Sequence, residues 1–154
     1  MIKPIIHLAS DHAGFVLKEQ VGDWLKERGY VVVDHGAHKL DESDDFPDFI
    51  SLAALAVSKE PTCRAIIFGG SGQGEAMVAN RYPQVRATVY YGGDEQIVTL
   101  SRQHNDANVL SIGARFVDTT TAVRAVQLWL NEAPLSEEKY SRRNKKIERL
   151  TKSL

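Results

Sequence analysis

The chain has 154 residues, 43% of them hydrophobic and 25% charged, with a formal net charge of −1. That length suits a single domain over residues 1–154 with a real core and no linker. No apolar run approaches the roughly 20 residues that span a bilayer, MIKPIIHLAS lacks the shape of a signal peptide, and one cysteine, Cys63, excludes an internal disulfide framework. A cytoplasmic protein whose lone thiol merely packs is the expectation.

Taken in chain order, short apolar runs alternate with helical periodicity. Residues 5–9 (IIHLA), 30–34 (YVVVD), 64–68 (RAIIF), 86–91 (RATVYY) and 108–113 (NVLSIG) read as strands. Between the first two, Leu17, Val21, Trp24, Leu25 and Arg28 share a helix face, with Gly29 as its closing glycine. A second helix starts near Pro47 and runs through ISLAALAV. Others cover about 74–81, 94–103, 119–131 and 136–152. Strands alternating with helices imply right-handed βαβ units and a parallel sheet covered on both faces. The fold class expected is α/β, a Rossmann-like three-layer sandwich with five parallel strands and a C-terminal helix.

In such a sheet ligands bind beyond the carboxyl ends of the strands. Asp11 and His12 lie there after the first strand, and GGSGQGE (69–75) lies there after the third. His104 and Asn105 end a helix and precede a strand, which puts them at the opposite edge of the sheet. If they serve the same site, a second subunit must supply them.

Gly69 and Gly74 have the Walker A spacing, but Glu75 and Ala76 stand where Lys and Ser or Thr belong. The dinucleotide fingerprint fails as well, because Gly70 and Gly72 are followed by Glu75 where a third glycine is needed. What remains is a loop whose backbone N–H groups converge on something negative. An acid in the first helical turn can simply favour the helix dipole. It can also take a proton beside an oxyanion that the loop stabilises, which is what an aldose–ketose isomerisation requires. The dipole should weaken such a base unless burial raises its pKa.

Other residues also have plain readings. Asp11 can cap a turn, and His104 with Asn105 can complement a helix end. His35 and His38 have a metal-like spacing but no third ligand, so they read as surface. Residues 139–152 hold seven Lys or Arg and one acid, too local a run for a nucleic-acid binder and suited to a small anion. On this helix Lys139, Arg142, Arg143 and Lys146 share one face, while Tyr140, Ile147 and Leu150 share a docking face.

Together SDHAGFVLKE (10–19), DDFPDF (44–49), GGSGQGEAMVANR (69–81), SRQHNDANVLSIGAR (101–115) and SRRNKKIE (141–148) resemble the ribose-5-phosphate isomerase type B family, which includes galactose-6-phosphate and allose-6-phosphate isomerases. The resemblance implies an enzyme with no cofactor and no metal, a sugar-phosphate substrate, and a homodimer, or a tetramer built from it, with sites shared between subunits. It implies no nucleic-acid or membrane partner. Asp11 and His12 would contact the sugar, Gly70, Gly72 and Gly74 would hold the enediolate with Ser71 in support, and His104 with Asn105 would open the ring. Arg115, Lys139 and Arg143 would bind phosphate. Many members carry a cysteine base where this chain has Gly69, and another branch carries a glutamate at the position of Glu75. Phe46 replaces a usual tyrosine, and Lys139-Tyr140 a usual Arg-His. The reaction implied is the interconversion of ribose 5-phosphate and ribulose 5-phosphate. Another sugar phosphate, or an anion- or nucleotide-binding module without catalysis, is the alternative.

Overall fold

The run RAIIF forms the middle of the sheet. In the computed structural model, which describes residues 2–152, β3 (Arg64–Gly69) lies between β1 (Ile6–Ser10) and β5 (Val109–Gly113). The edges are β2 (Val32–Asp34) and β4 (Ala87–Tyr90), and every pairing is parallel, in the order β2-β1-β3-β5-β4. Ala65, Ile66, Ile67 and Phe68 are all 0% exposed, because both faces of the strand are covered.

One layer consists of α1 (Phe15–Glu27), α4 (Gln96–Asn105) and α5 (Thr119–Asn131), closing over Ile66, Phe68, Leu110 and Ile112. The other consists of α2 (Phe46–Lys59) and α3 (Gln73–Ala79), over Ala65, Ile67 and Val109. Each fully buried aliphatic or aromatic side chain contributes about 1.5–3 kcal/mol relative to exposure. No helix is long and apolar enough to cross a membrane among the described residues.

Local sequence explains most boundaries. Leu17, Val21 and Leu25 are the buried stripe of α1, and Gly29, at φ +78°, turns the chain out of it. Arg28 falls past the helix end, its guanidinium 4.1 Å from the Trp24 ring centroid. Pro47 sits in the first turn of α2, where its missing N–H costs nothing. The strand expected over 30–34 shrinks to three residues, since only Val32–Asp34 finds partners on β1.

Two other expectations change. The last helix, α6 (Glu138–Lys152), buries no residue, and its docking face is not Tyr140, Ile147 and Leu150. Ile147 and Leu150 are exposed, and Tyr140, Asn144 and Glu148 make the contacts instead. Spaced four apart, they lie on one stripe and hold by stacking, a hydrogen bond and an ion pair rather than by apolar burial. His35 is not a surface residue either: its Nε2 lies 2.9 Å from Nδ1 of His7 on β1, and both rings are half-buried.

Lys18 is 1% exposed, yet its ammonium is satisfied by Asp34 at 2.6 Å and Glu19 at 2.8 Å. The second oxygen of Asp34 accepts from the Gly36 N–H, and Gly36 and Ala37 bond in turn to Ser10. The buried lysine thus fixes the loop that borders the end of β1.

Burial lowers the pKa of His7, helped by His35, and burial likewise lowers that of His35. The folded chain therefore binds fewer protons at these rings than the unfolded chain, and their contribution to stability is lost as pH falls below the unfolded value near 6.5. Chemical denaturation at pH 7.5 and pH 5.5 should show the loss, and His35→Asn should make the dependence shallower. Equal slopes in the two proteins would count against the pair.

Candidate active site

Parallel register brings three strand ends together, with Ser10 opposite Phe68 and Gly69 opposite Gly113. The residues that follow, Asp11, Gly70 and Arg115, therefore gather at one edge of the sheet. Arg115 donates its main-chain N–H to Gly70 O at 3.1 Å, and its guanidinium lies over Gly70.

Asp11 fulfils its plain reading and keeps a free oxygen. Its Oδ1 accepts from the N–H groups of Ala13 and Gly14, capping a 3-10 turn over His12–Gly14. Its Oδ2 lies 4.0 Å from Nδ1 of His12. Closer to the same nitrogen stands Asp44, whose Oδ1 is 2.6 Å from it. This hydrogen bond raises the His12 pKa, opposed first by desolvation and to a smaller extent by Arg115.

The glycine loop is pinned from beneath. Gly72 sits at φ +79° against the backbone of Ile112 and Gly113, a conformation and a closeness that exclude a side chain. Its carbonyl accepts from the buried Ser111 hydroxyl at 2.6 Å. Ser71 Oγ accepts from the Gln73 N–H at 3.3 Å, so this hydroxyl supports the turn into α3. The helix begins one residue earlier than the spacing predicts, which places Gly74 inside its first turn, packed under the Phe46 ring.

Glu75 is 4% exposed, beside the loop and near Asp11. Burial raises its pKa and the charge of Asp11 adds to the rise, while the N–H groups of Glu75 and Gly72 pull it down. The opposition between dipole and burial thus resolves in favour of burial. Gly69 makes room for this acid: a Cβ on residue 69 would overlap the Glu75 carboxylate.

The second group of residues lies elsewhere. His104 and Asn105 close α4 at the amino end of the sheet, while Glu75 and Arg115 lie at the carboxyl end. The five residues of β5, at about 3.3 Å each, span roughly 15 Å between the two edges. His104 stacks on Tyr140 with centroids 4.5 Å apart and planes 7° from parallel, and Asn144 donates to its carbonyl. Lys139 and Arg143 are exposed on the same helix, α6. Asp106, at φ 45°, makes the turn out of α4, and Arg86 ties this corner together by bonding the carbonyls of Asn105 and Asp106 and the Glu148 carboxylate.

Asp11, His12 and Asp44 each bring a ligand atom within 4.8 Å of the others, the one such trio among the described residues. Their atoms already serve protein groups through the His12–Asp44 bond and the Asp11 cap. Asp44 is the site residue that sequence reasoning misses. It stands in the stretch DDFPDF, but its contact with His12 crosses 32 residues of chain, and no local pattern reveals it.

Comparison with known proteins agrees with this fold. A ribose/galactose isomerase family model matches residues 6–147. Ribose-5-phosphate isomerase B of Mycobacterium tuberculosis is 33% identical over 138 residues, covering 90% of this chain and 84% of its own. That of Escherichia coli is 38% identical over 125 residues, covering 81% and 82%. The crystal structure of ribose-5-phosphate isomerase B from Mycoplasma genitalium with bound ribulose-5-phosphate superposes with a TM-score of 0.93, at 35% identity and 100% coverage of both chains.

Because the Glu75 carboxylate fills the space above residue 69, Gly69→Ala should drive it toward solvent. Followed by carbon-13 NMR of the side-chain carboxyl, the Glu75 titration should then move down toward the ordinary value of 4.5. An unmoved titration would show that the carboxylate keeps its seat beside a side chain at 69.

Proposed function

The chain belongs to the ribose/galactose isomerase family, and on that premise we propose that it interconverts ribose 5-phosphate and ribulose 5-phosphate with Glu75 as the base that carries the proton between carbons. The observation that carries this reading is a buried carboxylate of raised pKa in the first turn of α3, beside the glycine loop. A module that only held an anion or a nucleotide would gain nothing from that acid, which would repel its ligand. A charged sugar phosphate does not cross a bilayer unaided, which favours a cytoplasmic location for the enzyme.

The reaction divides between two groups of residues. Glu75 removes the proton from C2 of the open-chain aldose, the C–H electrons form the C1–C2 double bond, and the carbonyl electrons pass to O1. In this reading main-chain N–H groups of the loop from Gly70 to Gly74 donate to that developing charge, while Ser71 holds the turn by accepting from the Gln73 N–H. Glu75 returns the proton to C1 as the O2 proton passes to O1, leaving the ketone at C2. Burial makes Glu75 a stronger base than an exposed carboxylate. Asp11 and His12 hold the sugar hydroxyls, and Arg115 meets the phosphate.

His104 and Asn105 open the sugar ring, and Lys139 and Arg143 bind the phosphate, all four from a second subunit. Support for that assembly comes from the surface around β4. This edge strand is bordered by the exposed Met77 of α3 and Ile97 of α4, an apolar strip suited to a second copy of the chain. Without it, His104 stays on the far side of the sheet from Glu75.

Glu75→Gln should keep the fold and the substrate affinity while lowering kcat by about 10²–10⁴-fold, the range for loss of a general base. If the acid merely complements the helix dipole, kcat should stay near the parent value and only the melting temperature should fall. Mixing inactive Glu75→Gln and His104→Ala subunits under conditions that exchange chains should recover part of the activity, since one site of the heterodimer then holds both groups. A verified heterodimer with no recovery would put both residues in one chain's site.

A further inference from the structure

Asp44 grips His12 at two points. Its Oδ1 accepts from the His12 main-chain N–H at 3.0 Å and lies 2.6 Å from the ring Nδ1. Its Oδ2 is buried and has no hydrogen-bond partner among the described residues. We propose that Asp44 is a positioning residue for the isomerisation, holding the His12 proton on Nδ1 and keeping the ring cationic when the anionic substrate binds, with Nε2–H as the donor to it. This rests on the reading of His12 as a substrate contact.

The arrangement follows from where the charges stand. A carboxylate with one oxygen buried and unpartnered has its negative charge balanced chiefly by the ring it touches. The main-chain contact adds direction: an acceptor fixed to the backbone of residue 12 cannot drift from its ring. Holding Nδ1 in this way leaves Nε2 as the ring's only nitrogen for a ligand.

Every charged group that bears on the ring can be named. Asp11 Oδ2, at the end of β1, lies 4.0 Å away and favours the cation. Asp41, in the loop leading to α2, also interacts with the ring, while Arg115, after β5, opposes the cation. Asp44 is the largest influence and raises the His12 pKa through its hydrogen bond. Arg115 is thus a second cation near the His12 ring, and the two together suit an anionic substrate.

If Asp44 only secured the loop before α2, replacing it would alter stability and leave the chemistry of the ring alone. Asp44→Asn keeps the shape and one acceptor but removes the charge, and Asp44→Ser provides the same test if the amide variant is unstable. Imidazole NMR with labelled histidine, assigned by subtraction of a His12→Gln spectrum, follows the His12 titration in the unliganded protein. It should shift to lower pH in the variant. The KM for ribose 5-phosphate should rise with pH as His12 loses its proton, and in the variant that rise should begin at correspondingly lower pH. Above it, kcat/KM should fall by about 10- to 100-fold, the worth of one charge-assisted hydrogen bond. An unmoved His12 titration overturns the proposal whatever the activity. A titration that moves while the KM profile does not overturns the reading of His12 as a substrate contact, and the catalytic part of the proposal with it.

Discussion

Residue 69 and residue 75 compete for one volume, and much of the site depends on which of them fills it. With glycine at the end of β3, the Glu75 side chain folds back from the first turn of α3 and sets its carboxylate above the strand end, 4% exposed. A side chain on residue 69 would need the same space. The two positions therefore form a single choice: a reactive group grown from the strand, or one grown from the helix with the strand left bare. The second choice puts an acid where backbone N–H groups point and where burial opposes ionisation. Its strength as a base comes from those opposed influences, of which burial is the larger.

The same strand end explains why the surrounding residues converge. In a parallel sheet of order β2-β1-β3-β5-β4, the loops after β1, β3 and β5 leave from adjacent positions at one edge. Each is then fixed by a contact from below or beside it. Ser111 of β5 holds the Gly72 carbonyl, Asp11 caps its own turn, and Lys18 secures Asp34 and through it the segment that borders Ser10. The buried lysine costs desolvation, which its two carboxylate partners offset. Positioning here comes from a frame of short polar contacts, and the apolar core supplies the rigid platform beneath it.

How much of this could be read from the sequence depends on the range of each interaction. Strands and helices were legible because their signals are local: the RAIIF run, the Leu17, Val21, Leu25 stripe and Pro47 each act within a few residues. The placement of Asp11, His12, the glycine loop and Glu75 was legible as well, since strand ends in a parallel sheet fall at known places, whereas Arg115 was marked only by the family resemblance. The docking face of α6 was not, because apolar residues were expected to lead, and Tyr140, Asn144 and Glu148 hold the helix instead through His104 and Arg86. Asp44 and the His7–His35 pair were hidden for a different reason. Their partners lie 32 and 28 residues away, and only the fold brings them together.

Charge is divided along the chain as the shared-site reading requires. Residues 1–77 carry 12 acids and 7 bases and supply Asp11, Asp44 and Glu75, the groups to which the proposal gives proton handling and positioning. Residues 78–154 carry 12 bases and 8 acids and supply Arg115, Lys139 and Arg143, which suit a phosphate. Within one protomer the two sets sit at opposite edges of the sheet, except for Arg115. The twofold assembly proposed across β4 would set the acidic edge of one copy against the basic edge of the other. In that assembly each site would hold the carboxylates together with Arg115 and His12 from one copy and gain Lys139 and Arg143 from the other. The acidic edge matters to Glu75 itself, because the charge of Asp11 adds to the rise that burial gives its pKa.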